Sequence, residues 1–318
     1  MINKLYLLLI TLFLSSYFYS IVEEDPLPTL GDYSSASISL SGEYELGRLW
    51  LAMYRGSTKE HSDPLMRTYL EDLIYRLSET SEVRDRRFEF IILEDESINA
   101  FAAPGGIIGI NLGMFLNTQR EGELASVMCH ELAHLSQRHY ARSQNRNSPL
   151  ANALMILASV AVAAASRNPE AIVIAPAAMQ QMSINYTRSN EKEADRIGFN
   201  NLVKAGFDPN DMTMMFQRMQ DKYQREDSEQ FSYLMTHPLP SERLTDMRIR
   251  ADNISKPSEG SFRDNLDFYF MQKRSEIWAE KDTKKLIKKY RKDLKSDQKN
   301  VSLSSRYGLA LALKKDKK

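Results

Sequence analysis

The stretch CHELAHLSQRH, Cys129–His139, lies within a long helical pattern and decides the class of fold. His130 and His134 are four positions apart, so on an α-helix they share a face and can offer two imidazole nitrogens to one tetrahedral Zn²⁺. Glu131 would then stand beside the metal as the candidate general base. The alternative is a pair of surface histidines with a solvated glutamate. The apolar residues around the motif favour the metal, because histidines in apolar surroundings need a partner.

A zinc site needs a further protein ligand besides these two histidines. The metzincin pattern is excluded, because Gln137 and Tyr140 stand where that class has glycine and histidine. A second acidic helix, predicted around NEKEADRIG, is the better source. Its Glu191 and Asp195 are again four residues apart, so one carboxylate can bind the metal while the other orients a ligand imidazole. Asp195 could alternatively donate a proton during turnover.

Three neighbouring residues are predicted to lie outside the site. His139 follows His134 by five residues, about 140° around a continuous helix, and is expected on the surface. Glu193 lies off the face shared by the other two acidic residues and is expected to be solvated. Cys129, the single cysteine, points about 100° away from His130 on the helix and is predicted to be a small buried hydrophobe.

A third motif, MTHPLPSER, ends at Arg243. Its His237 precedes a proline in a turn-like segment and could either bind the metal as a fourth ligand or hydrogen-bond the reacting carbonyl. The alternatives are a loop histidine or a cap for a helix starting near Ser241. A fourth protein ligand would block the water position of a catalytic zinc, so such a ligand must be reversible and inhibitory. Arg243 could stabilise charge or form a structural ion pair.

The three motifs, in this order, resemble the HtpX/BepA-type zinc metallopeptidase family, and residues 42–251 resemble its periplasmic BepA branch. The segments INAFAAPGGIIGINLGMF and GFDP support the resemblance. The resemblance implies site roles for six residues. They are His130, His134 and Glu191 as zinc ligands, Glu131 as catalytic base, Asp195 as a supporting or proton-donating residue, and His237 in the active site.

The resemblance also implies a function. It is a periplasmic zinc endopeptidase that acts on misfolded or unassembled outer-membrane proteins and meets the outer-membrane assembly machinery through its C-terminal helices. Two alternatives stay open: an assembly chaperone or scaffold with secondary proteolysis, and a membrane-anchored quality-control protease. The residue chemistry by itself indicates only a protein or peptide substrate.

Two strands are predicted ahead of the zinc helix, at Phe88–Leu93 and Ile107–Asn111. Gly105 and Gly106 allow a tight reversal between the second strand and the segment Asn99–Phe101. An edge strand at that segment could pair with an extended peptide substrate through backbone hydrogen bonds. The alternative is an ordinary hairpin without a binding role.

The expected fold class is α+β, with a mainly helical zincin domain and a small β-sheet, followed by a short helical segment. Residues 1–20 are predicted to be a signal peptide, with an uncleaved anchor as the alternative. The metallopeptidase domain is assigned to 21–255, and an incomplete tetratricopeptide-like segment to 256–318. The apolar stretch 150–165 is shorter than the roughly 20 residues of a membrane span, and is expected to cover the active site or to touch the membrane surface.

The charge is zero overall but unevenly distributed. Residues 271–318 hold 16 Lys/Arg and 6 Asp/Glu among the 318 residues of the chain. No nucleic-acid motif accompanies this basic segment, so no nucleic acid is expected as a partner. A solvated helical face is the simplest interpretation, and contact with acidic partners or a membrane surface is the alternative.

Overall fold

The architecture is a layer of helices packed around a three-stranded sheet, which confirms the predicted α+β class. The computed structural model describes residues 39–144, 186–225, 233, 237–238, 241–254 and 262–317. The predictions for the signal peptide and for the apolar stretch 150–165 lie outside these residues. Within the described ranges, no helix has the length and apolarity needed to cross a membrane.

The described helices and strands follow one another in a simple order. They are α1 (Leu40–Ser57), α2 (Pro64–Glu79), β1 (Glu89–Leu93), β2 (Ala100–Ala103), β3 (Ile107–Asn111), α3 (Leu112–Asn117), α4 (Glu121–Ser136), α5 (His139–Gln144), α6 (Arg188–Lys204), α7 (Asn210–Arg225), α8 (Ser241–Asn253), α9 (Leu266–Ala279), α10 (Thr283–Asp293) and α11 (Lys299–Asp316).

The sheet has the order β1-β3-β2, with β1 parallel and β2 antiparallel to the central strand. Every residue of β3 is buried, as expected for a strand covered on both faces. Gly105 and Gly106 adopt φ values of 74° and 77° and make the reversal from β2 to β3. The predicted strands and the reversal are confirmed, and β2 is an edge strand of the sheet that the described residues form; its binding role stays a prediction.

The main core lies between the sheet and the helices α2, α4 and α7. Large apolar side chains from these elements are fully or almost fully buried in one cluster, among them Leu73, Ile110, Met128 and Phe216. The other face of the sheet packs on α1 through Leu51, Ile91 and Ile107.

Helix α4, which carries the HELAH motif, is buried along almost its whole length, from Glu121 to His134. Helix α6 crosses it closely at Gly198. A Cβ atom on that glycine would lie 3.0 Å from the carbonyl carbon and oxygen of Cys129 and from Cα of His130. The absence of a side chain therefore lets the acidic helix approach the backbone of the metal-motif helix. Thr187 caps the start of α6 by accepting from the Asn190 amide.

The C-terminal helices confirm the predicted helical segments at α9, α10 and α11. Phe268 and Met271 of α9 belong to the main core, whereas Leu286, Tyr290 and Ala312 form a smaller cluster between α10 and α11. The tetratricopeptide character of this segment and the domain boundary at residue 256 stay predictions.

Candidate metal centre

Four buried side chains converge where α4, α6 and the segment before α8 meet. His130, His134, Glu191 and His237 each offer one donor atom, and these atoms lie within 4.8 Å of one another. The Nε2 atoms of His130 and His134 are 3.0 Å apart. Glu191 lies 3.4 Å from each of these nitrogens, through Oε2 and Oε1 respectively. Helical i, i+4 spacing brings the two histidines together, and the close crossing of α6 brings the carboxylate.

His237 completes this group from outside both helices. Its Nδ1 lies 3.1 Å from Oε1 of Glu191 and 3.4 Å from Nε2 of His130. Its ring stacks on Tyr233, with centroids 4.7 Å apart, and its amide donates to the Tyr233 carbonyl at 2.7 Å. The His237 side chain is therefore held against the donor atoms rather than exposed in a loop.

Glu131 is buried beside this group, as the motif predicted. Burial raises the pKa of its carboxyl, and the nearby His237 and His130 offset this only in part. Among the described residues, no hydrogen bond of normal geometry reaches either of its oxygens. The closest ion-pair contact is 3.6 Å, to Nε2 of His237. The amide of Ala102 in β2 also lowers the pKa of Glu131, so the edge strand passes close to this carboxylate.

Asp195 lies behind the first histidine of the motif. Its Oδ1 is 3.0 Å from Nδ1 of His130, on the side of the ring opposite to the donor group. Burial alone would lower the pKa of His130, but Asp195 and Glu191 raise it to about 9 in the metal-free protein. Asp195 itself pairs with Arg243, so the ion-pair interpretation of that arginine is confirmed. Asp195 thus lies at ion-pair distance from a candidate ligand imidazole, as expected, but the two atoms are not aligned as a hydrogen bond, and the orienting role of Asp195 stays a prediction.

The expectation of a surface position for His139 is wrong. This histidine is fully buried, and its Nδ1 lies 2.8 Å from Nδ1 of His134. A surface position follows only for a continuous helix, whereas α4 ends at Ser136 and Arg138 adopts a left-handed φ of 50°. That residue reverses the chain, so His139 returns to the ligand side. Glu193, expected to be solvated, pairs with Nε2 of His139 at 3.1 Å.

Tyr186 is a site residue that the sequence did not indicate. Its ring stacks on His134 with centroids 4.2 Å apart and an interplanar angle of 25°. Tyrosine is common in cores and carries no spacing signal, so no pattern could have singled it out. Cys129, by contrast, is buried as predicted, and burial raises the pKa of its thiol.

The donor set suits a metal ion. Two imidazole nitrogens and a carboxylate oxygen are ligands that Zn²⁺ accepts in catalytic sites, with another position left for water or substrate. Burial by itself would raise the pKa of Glu191, but the three histidines around it lower that pKa well below its usual range. Burial lowers the pKa of His134, which favours the neutral ring that a metal requires. Glu191 and His134 are therefore shifted toward the deprotonated forms that bind a cation, whereas His130, whose pKa is raised, must release a proton when a metal binds.

Residues 64–251, more than half of the chain, match the family model described as Peptidase family M48. The chain belongs to peptidase family M48. The predicted metallopeptidase family is thereby confirmed, and the donor cluster lies inside the matched range. Members of the M48 family are metal-dependent peptidases, which agrees with the buried cluster of donors.

Similar proteins agree with this membership. The beta-barrel assembly-enhancing protease of Escherichia coli (strain K12) is 35% identical over 79% of this chain and 52% of its own length. A Vibrio cholerae protein that provisionally bears the same name is 42% identical over 73% of this chain and 49% of its own length. The mitochondrial metalloendopeptidase of Schizosaccharomyces pombe is 25% identical over 72% of this chain and 66% of its own. The chain spans about half the length of the first two relatives.

Proposed function

We propose that this M48 peptidase is a zinc-dependent endopeptidase that cleaves unassembled outer-membrane proteins in the periplasm. The observation that carries the proposal is the buried group of His130, His134 and Glu191 next to the Glu131 carboxylate. Three protein donors with an adjacent general base are what metal-assisted hydrolysis of a peptide bond needs.

The proposed division of labour follows the geometry. His130, His134 and Glu191 would hold the zinc, which supplies a Lewis acid and water with a pKa near 7. Glu131 accepts the proton of the attacking water and delivers it to the amine leaving group. Burial raises its pKa, and this shift makes the carboxylate a stronger proton acceptor. Asp195 keeps His130 in the tautomer whose Nε2 faces the donor group.

The edge strand β2 is evidence that the substrate binds in an extended conformation. β2 pairs with β3 on one side, and the amide of Ala102 lies near Glu131. An extended peptide added to the side of β2 that faces away from β3 would run past the catalytic carboxylate and be held by main-chain hydrogen bonds. Such binding tolerates varied side chains, which fits a protease that acts on many unassembled proteins.

The β-barrel part of the proposal is supported by the names of the relatives from Escherichia coli and Vibrio cholerae. The periplasmic location is supported by the predicted signal peptide at residues 1–20. Contact with the outer-membrane assembly machinery through α9, α10 and α11 is part of the same proposal, as is contact of the basic segment 271–318 with a membrane surface.

The test combines metal analysis with hydrolysis of unfolded casein and of an unfolded outer-membrane porin. The wild-type protein should hold about one zinc per chain and cleave both substrates. Glu131→Gln should keep the metal and lose about 100-fold or more in kcat, because the general base is removed. Unchanged cleavage by this variant would refute the mechanism.

The matched control is Glu123→Gln. Glu123 is on the same helix, is 1% exposed, and pairs with Arg218 at 2.9 Å, outside the donor group. It should leave the cleavage rate per folded molecule unchanged.

The two substrates separate the mechanism from the substrate class. Cleavage of casein by the wild-type protein without cleavage of the porin would agree with the peptidase mechanism and refute the proposed substrate class.

A further inference from the structure

The two motif histidines differ in the partner of Nδ1, the ring nitrogen that faces away from the donor group. His130 meets a carboxylate directly, since its Nδ1 lies 3.0 Å from Asp195. Among the described residues, Nδ1 of His134 contacts no carboxylate; its partner is another imidazole, that of His139, at 2.8 Å. A metal-binding histidine usually donates its second N–H to a carboxylate or a carbonyl oxygen. The second histidine therefore has an unusual partner that its own sequence neighbourhood supplies.

Hydrogen-bond donors and acceptors can be assigned along this chain of contacts. A neutral His134 that offers Nε2 to the metal carries its proton on Nδ1 and donates it to His139. His139 must then accept at Nδ1, which leaves its own proton on Nε2. That nitrogen faces Oε2 of Glu193 at 3.1 Å, and the same oxygen accepts from Arg142 at 2.9 Å. Every donor in this series meets an acceptor.

Helix α6 thus contributes a carboxylate to the site from every second residue over one turn: Glu191, Glu193 and Asp195. Glu191 faces the metal donors, and Asp195, one turn later, faces His130. Glu193 lies between them on the far side of the helix and is too distant in angle to serve the metal directly. His139 lies between Glu193 and His134 and contacts both, because the left-handed Arg138 turns the chain at the end of α4.

We propose that His139 is a positioning residue for the metal site, which fixes the tautomer and ring orientation of His134 and is itself fixed by Glu193. This inference rests on the proposed zinc function for the identity of the metal. It goes beyond that function by assigning a role to a pair of residues outside the donor group. His139 and Glu193 act through His134 and do not touch the metal or the substrate.

The test measures zinc affinity by competition with a chromophoric chelator, together with the visible spectrum of the cobalt-substituted protein. His139→Ala should weaken zinc binding by about 10- to 100-fold, as is typical when such an outer partner is removed. It should also shift the cobalt bands, because the His134 ring is no longer held. His139→Asn places an amide oxygen where Nδ1 stood, so it should recover a large part of the affinity.

Glu193→Gln provides a second variant that keeps the fold of the turn. Its amide oxygen can still accept from His139, but the charge is gone, so a loss of a fewfold in zinc affinity is expected. The matched control is His61→Ala, which removes another histidine–glutamate pair, with Glu94, of the same 3.1 Å length but away from the cluster. It should change neither the affinity nor the spectrum.

Zinc affinity within twofold of wild type and an unchanged cobalt spectrum in His139→Ala would overturn the inference. Equal effects of His139→Ala and His61→Ala would do the same, since they would indicate only a general loss of packing. The proposed function fails in a different way: a wild-type protein that binds zinc yet cleaves no unfolded substrate. In that case the affinity and spectral measurements still decide the role of His139.

Discussion

Arg243 donates two hydrogen bonds to Asp195, from Nε to Oδ2 at 2.6 Å and from Nη2 to Oδ1 at 2.7 Å. Its Nη1 also lies 2.9 Å from Oε2 of Glu191. All three side chains are buried. A single guanidinium thus balances two carboxylates that lie one helical turn apart on α6, and this allows both to be buried beside the histidines.

Replacing Arg243 should destabilise the metal-free protein strongly. Arg243→Met leaves the Asp195 carboxylate without its cation, and breaking a buried ion pair costs about 3–5 kcal/mol of unfolding free energy. Urea denaturation in the presence of a chelator measures this. The control is Arg250→Met on α8, the helix that also carries Arg243. The partner of Arg250 is Asp246, whose side chain is 49% exposed. Its loss should be about 0.5 kcal/mol, and equal losses for both variants would contradict the prediction.

Adding a methyl group at Gly198 should weaken both the fold and the metal site. In Gly198→Ala the new Cβ meets the backbone of Cys129 and His130 at 3.0 Å, so α6 must move away by a small amount. We expect a loss of about 1–3 kcal/mol in unfolding free energy, with weaker zinc binding because Glu191 moves with its helix.

The matched control for that change is Gly56→Ala near the end of α1, where a Cβ would meet nothing within 4 Å. It should be neutral or stabilise the protein by about 0.5–1 kcal/mol, since alanine is the better helix former. Chelator competition and urea unfolding of the two variants check both expectations. Zinc affinity unchanged in Gly198→Ala would show that the close crossing is not needed for the site.

Asp211 should make stability depend on pH. It lies against Gly122 at the start of α4, and burial, with Asp208 and Glu123 nearby, raises its pKa to about 7 despite Arg120. The native state therefore keeps a proton that the unfolded chain loses near its ordinary pKa of 3.8. Stability from this group is present at low pH and is lost as pH rises from about 4 to about 7, by up to about 4 kcal/mol.

The variant Asp211→Asn removes this titration. Its unfolding free energy, compared with that of the wild type, should therefore rise as the pH rises from about 4 to about 7. Urea denaturation at pH 5, 6 and 8, compared between variant and wild type, measures the difference. Asp221→Asn, a partly buried change on the same helix α7, provides the baseline. A difference between Asp211→Asn and wild type that stays constant from pH 5 to pH 8 would contradict the assignment.

His237→Ala should raise the rate of casein cleavage. The contacts of its Nδ1 with His130 and Glu191 place it as a fourth donor, so its removal frees the position that water or substrate needs. The rise would be about tenfold if the histidine occupies that position nine-tenths of the time. Initial rates at saturating zinc measure it, with Glu131→Gln/His237→Ala as the control for contaminating proteases. A fall would instead assign His237 to stabilising the reacting carbonyl.

Helical periodicity explains how much of the site could be predicted. The i, i+4 rule applies to His130 with His134 and to Glu191 with Asp195, because both pairs lie within unbroken helices. The same rule failed at His139, because one left-handed residue ended the helix between the two histidines. Nothing in the identity of Arg138 announces that conformation, which glycine adopts far more readily.

Long-range packing accounts for the rest. The hairpin of β2 and β3 could be predicted because it is local, whereas the parallel pairing of β1 with β3 joins strands that a third strand separates in sequence. The sequence left the role of Arg243 open between two interpretations, since an arginine near a motif can serve either. The distance to Asp195 shows the ion pair, and a role in charge stabilisation stays a prediction.

The position of β2 at the margin of the sheet has one more consequence. A strand that recognises its target by main-chain hydrogen bonds needs a target whose own amides and carbonyls are not already used. The strands of a finished β-barrel have no such edge to offer, because they close on one another. In the proposed enzyme the choice between sparing and destroying a client would therefore rest on whether the client has completed its folding, with no need for a recognition sequence.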